Sequence, residues 1–129
     1  MIRPASPETS ALNITDEFGC IADNYLAQIK VGGVQTSILV DSGSAITTIR
    51  KSDAEGIRQF SNTAVFDDTE TLSNWIGVNN SRIPSLGTIT ADLEFGKWIS
   101  PNCSIMIVPD DRPSLLGRDN LLGLGLRMQ

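Results

Sequence analysis

Ile38-Leu39-Val40-Asp41-Ser42-Gly43-Ser44 is an apolar strand that runs into a carboxylate and then a turn of small residues. The strand sets the height of Asp41, Gly43 lets the backbone fold back, and the Ser42 hydroxyl can hydrogen-bond across the turn. Asp-Ser-Gly alone is also what an ordinary turn after a strand looks like, so its meaning rests on its surroundings. Upstream, residues 24–31 alternate weakly and end at Gly32-Gly33, a two-residue hairpin signal. Residues 34–40 put Val34, Thr36, Ile38 and Val40 on one face. A hairpin therefore delivers Asp41 at its end.

Downstream, residues 46–49 form a further short β-branched strand, and residues 51–60 are polar with room for a helical turn. Residues 66–70 read as a solvated acidic loop. Residues 71–76 and 82–86 flank Gly77-Val78-Asn79-Asn80-Ser81, two strands around a protruding hairpin tip. Residues 88–95 alternate, with Ile89, Ala91, Leu93 and Phe95 on one side and Thr88, Thr90, Asp92 and Glu94 on the other. Residues 104–108 are the next strand, and residues 119–124 the best helix candidate. The apolar pair Leu115-Leu116 runs into Gly117, an echo of the strand that runs into Asp41.

Composition excludes much. The chain has 129 residues, the size of one domain, with a net charge of -5. That balance argues against nucleic acid and anionic membranes as partners, which select basic surfaces. No apolar stretch approaches the roughly 18 residues of a spanning helix. No apolar core of a signal peptide opens the chain. The two cysteines, Cys20 and Cys103, read as free thiols of a reducing compartment rather than as a disulfide. The sequons at Asn13, Asn79 and Asn102 then read as chance matches. There is no histidine, which removes Ser-His-Asp, Cys-His and imidazole-zinc chemistry. Gly123-Leu124-Gly125 lacks the rest of a phosphate-binding loop. Carboxylate chemistry remains, and it calls for no metal or cofactor. Two carboxylates in contact can share one proton, so that one acts as base and the other as acid.

From about Tyr25 to Met128 the chain resembles the retropepsins, the aspartic proteases of retroviruses and retrotransposons. The resemblance lies in Asp41-Ser42-Gly43, the later Leu115-Leu116-Gly117-Arg118-Asp119, and the hairpin between them. It implies an all-β fold: a closed β-barrel subunit with a flap hairpin and one short C-terminal helix. Residues 1–15 would be a flexible lead or polyprotein flank, and residues 16–129 the protease domain. Longer pepsin-like enzymes carry two such motifs, and this chain carries one. The resemblance therefore implies a homodimer, with Asp41 of each subunit meeting at the two-fold axis.

Within that resemblance Asp41 matches the catalytic aspartate. Ser42 matches the hydroxyl that braces the two turns across the axis, Gly43 the turn position, and Ser44 a position usually Ala. Gly77, Val78, Asn79, Asn80 and Ser81 fall at the mobile flap tip. Leu115, Leu116 and Gly117 match the segment behind the active-site turn. Arg118 and Asp119 open the C-terminal helix and read either as helix-start polar residues or as a structural ion pair. Residues 126–129 fall at the terminal dimer strand. Ala45 stands where retroviral enzymes have an Asp that pairs with the helix Arg. The flap tip is less glycine-rich than viral flaps and more like those of retrotransposon proteases.

The expected activity is aspartic endopeptidase action on an extended peptide or polyprotein, with no nucleic-acid or membrane partner. The expected location is the cytoplasm or a virus-like particle. Ile38, Ile46, Ile83 and Leu86 near the turn suggest hydrophobic residues beside the cut. The rival readings are a non-catalytic dimerisation or peptide-binding module of the same fold, and the protease domain of a cellular retroviral-like protease.

Overall fold

The computed structural model describes residues 2–4, 14–15, 25–77 and 80–128. In chain order its strands are β1 (Arg3–Pro4), β2 (Ile14–Thr15), β3 (Tyr25–Val31), β4 (Val34–Val40) and β5 (Thr48–Arg50). Helix α1 (Lys51–Phe60) follows, then β6 (Val65–Asp67), β7 (Thr71–Ile76), β8 (Arg82–Ser85), β9 (Gly87–Phe95) and β10 (Trp98–Val108). The end is built from β11 (Leu115–Leu116), α2 (Arg118–Leu121), a 3-10 turn (Leu122–Leu124) and β12 (Arg127–Met128).

The alternation in residues 25–40 becomes a full antiparallel ladder, from Tyr25 opposite Val40 to Val31 opposite Val34. Thr36, Ile38 and Val40 point inward and are buried. Strands β10, β5, β11, β4, β3 and β9 lie side by side in that order, and β10 also pairs with β9, so the sheet closes into a barrel-like ring. Ring closure leaves β4 no free edge where it delivers Asp41. The core inside the ring is aliphatic, with Ile29, Ile38, Ile49, Ile89, Ile105 and Leu116 all excluded from solvent. A smaller cluster of Ile2, Ile83, Val108 and Leu115 lies beneath the hairpin β7–β8.

The fold is mostly β, as the alternation predicts, with one addition. Residues 51–60 form a ten-residue helix rather than a single turn. Its apolar stripe is narrow, only Ala54 and Ile57, and both are buried against the ring. The Ser61 hydroxyl fastens the end of α1 by donating to the Gly32 carbonyl at 2.7 Å.

Part of the segment read as a flexible lead is built into the fold. Arg3 stands opposite Ile76 and Pro4 opposite Trp75, and β2 pairs antiparallel with β12. The terminal strand expected to serve a dimer thus has a partner within its own chain. Cys103 is buried and free, and Cys20 lies outside the described residues.

Candidate active site

Asp41 leaves β4 where β11 runs parallel beside it, Leu115 opposite Leu39 and Leu116 opposite Val40. The Asp41 N–H donates to the Leu116 carbonyl at 3.0 Å, which pins the residue to β11. Its carboxylate then organises the turn: the Gly43 N–H donates to Asp41 Oδ1 at 2.8 Å, and the Ser44 N–H to the Asp41 carbonyl at 3.1 Å. This is the turn geometry that the short side chain of an aspartate stabilises. Asp41, Ser42 and Gly43 are half-buried, at the surface of the single chain. The Ser42 hydroxyl has no hydrogen-bond partner among the described residues of its own chain.

Ser44 is fully buried, and its small side chain fits the site. Its hydroxyl donates to the Ile46 carbonyl at 2.7 Å, and its carbonyl accepts from the Arg118 N–H at 2.8 Å. Gly117 passes so close to residue 46 that a Cβ there would meet the Ile46 carbonyl oxygen at 2.2 Å. Only glycine lets α2 start directly behind the turn.

A polar network missed in the sequence holds α2 in place. The Thr47 hydroxyl donates to Asp119 Oδ1 at 2.7 Å and accepts from the Gly117 N–H at 3.1 Å and from Asn120 Nδ2 at 2.9 Å. The Thr47 N–H donates to Asp119 Oδ2 at 3.2 Å. Burial pushes the Asp119 carboxyl above its ordinary value, against the Thr47 hydrogen bonds, which pull it down. Among the described residues Asp119 is thus bound to a hydroxyl and an N–H. In sequence Thr47 looked like one more β-branched strand residue, and no local signal marked it.

The hairpin β7–β8 stands over this floor. At its tip the Gly77 N–H donates to the Ser81 carbonyl and the Asn80 N–H to the Gly77 carbonyl, both at 3.1 Å. Val78 and Asn79 lie outside the described residues. The Arg112 guanidinium lies against Gly77, where a Cβ would come within 2.7 Å of Nη1. A cavity of about 410 Å³ opens beneath the hairpin, walled by Ile46, Thr47, Trp75, Met106 and Asp119 among others. Of the four apolar residues expected beside the cut, Ile46 and Ile83 face this region, whereas Ile38 and Leu86 pack on the barrel core. Among the described residues no cluster of acidic or thiol side chains could hold a metal ion.

An Asp-Ser-Gly turn, braced from behind by an apolar-Gly segment and with a hairpin beside it, is similar to the active-site turn of aspartic proteases. The family described as aspartyl protease matches residues 27–125, and the chain belongs to it. The fold is retropepsin-like: it superposes on the crystal structure of a retropepsin-like aspartic protease from Rickettsia conorii with a TM-score of 0.52. That match has 21% sequence identity and covers 87% of this chain and 76% of the other. No curated protein matches the sequence.

Proposed function

We propose that two copies of this chain meet about a two-fold axis and that their Asp41 carboxylates together activate water against an extended peptide. The supporting observation is the half-buried Asp41-Ser42-Gly43 turn, fully braced from within its own chain yet carrying a hydroxyl with no described partner. In this reading the ionised Asp41 takes a proton from water, and the protonated one polarises the scissile carbonyl. Ser42 of each chain braces the other turn. Gly77, Val78, Asn79, Asn80 and Ser81 close over the peptide and exclude water. Leu115, Leu116 and Gly117 hold the turn from behind, while Arg118 and Asp119 fasten the helix to it.

The substrate in this reading is a polyprotein of a retrotransposon or retrovirus-like element, met in the cytoplasm or in a particle. The glycine-poor flap tip favours a retrotransposon source. The test is cleavage of a diverse peptide pool from about pH 4 to 7 by wild type and Asp41→Asn in parallel. Wild type should cleave, and the variant should lose about a thousandfold or more in rate while staying folded. Equal rates would sink the role of Asp41. No cleavage by protein shown to be dimeric would favour the peptide-binding module.

A further inference from the structure

Residues 2–4 run along the flap. Arg3 and Pro4 pair antiparallel with Ile76 and Trp75 of β7. On the floor side, the Ala45 N–H donates to the Ile2 carbonyl at 2.8 Å. One short segment is therefore joined both to the flap strand and to the turn that follows Asp41. The Ile2 side chain is 5% exposed and packs with Ile83, Val108 and Leu115. Ile46, Trp75 and Met106 border this pocket and also wall the cavity beneath the flap, so pocket and cavity are adjacent parts of one cleft. An extended segment with main-chain bonds to a strand and a side chain sunk in a pocket is how peptides are bound by strand addition.

We propose that residues 2–4 occupy the peptide cleft of their own chain and compete there with substrate. The proposal rests on the reading of the gap between flap and Asp41 turn as the substrate cleft. The occupant also defines what this pocket accepts, a branched aliphatic side chain on an extended backbone. A charged side chain there would lose its hydration among Ile83, Val108 and Leu115. A segment on the same chain meets the cleft at an effective concentration on the order of millimolar, so a free peptide of ordinary affinity is held off.

The test compares the wild-type protein with Ile2→Asp on a reporter peptide, with the free hexapeptide Met-Ile-Arg-Pro-Ala-Ser as competitor. Ile2→Asp should lower KM with kcat unchanged, by about tenfold for a wild-type cleft open roughly a tenth of the time. The free hexapeptide should inhibit competitively, and its counterpart with Asp in place of Ile should not. Unchanged KM in a folded variant, with no inhibition by the hexapeptide, overturns the proposal. If the variant unfolds, competition by the hexapeptide against wild type decides alone. If wild type cleaves nothing, the protease reading fails separately, and binding of fluorescently labelled hexapeptide still reads the cleft. Tighter binding to Ile2→Asp than to wild type supports self-occupancy, and equal binding overturns it.

Discussion

Thr47 is saturated: its hydroxyl gives one hydrogen bond and takes two, and its N–H gives another to Asp119. This explains how a carboxylate sits partly buried at the start of α2. It also gives Asp119 a definite pH signature. Burial raises its folded value above the ordinary 3.8, so the native state holds the proton more tightly than the unfolded chain. The stability from this group is complete below the unfolded value and is lost as pH rises through the folded one. Asp119→Asn cannot ionise and lacks this component. The stability advantage of wild type over Asp119→Asn should therefore shrink as pH rises from acid to neutral, measured by urea midpoints of both proteins. A gap that widens with pH would refute the assignment. The exposed Asp67 and Asp110 carry lowered values, held down by hydrogen bonds from Thr69 and from the Ser52 N–H. Their contributions have the opposite sign, present at neutral pH and lost in acid, but they are common to both proteins and cancel.

Among the elements, β11 holds the turn directly through the Leu116 carbonyl, and α1 supports the approach to β11 through Ser114. Helix α1 touches the ring through Ala54 and Ile57 and is tied at its first turn by Arg50, which pairs with Asp53 at 3.1 Å. Asp53 also accepts from the Ser114 hydroxyl at 2.8 Å, linking the helix to the residue before β11. Because Ile57 is fully buried, Ile57→Ala should cost about 2–5 kcal/mol of stability, read from chemical denaturation. A loss under about 1 kcal/mol would mean that α1 is a surface appendage rather than part of the core. Only two residues long, β11 is held by β4 on one side and β5 on the other. A strand this short has little pairing energy of its own and depends on the ring around it.

At the scale of the whole molecule, the single Asp41 per chain ties activity to assembly in the proposed mechanism. Specific activity should fall on dilution and return on concentration, with rate rising as the square of enzyme concentration in the dilute limit. A strictly proportional rate at every dilution would refute a dimeric site. No helix among the described residues is long and apolar enough to cross a membrane.

The local signals were legible because they are short-range. The alternation of residues 25–40, the Gly32-Gly33 turn, the tip after Ile76 and the small residues after Asp41 each follow from backbone geometry and side-chain period. Resemblance carried the order of motifs and hence the family. Helix α1 was hidden because a stripe of two apolar residues is too narrow to register as a period. The Thr47–Asp119 contact joins residues 72 apart in sequence, and only the passage of β11 between β4 and β5 brings them together. The seat of Ile2 was equally invisible. The stretch Ile2-Arg3-Pro4 has no period to read, and its partners, Ala45 on the floor and Ile76 on the flap, face one another only after the ring has closed.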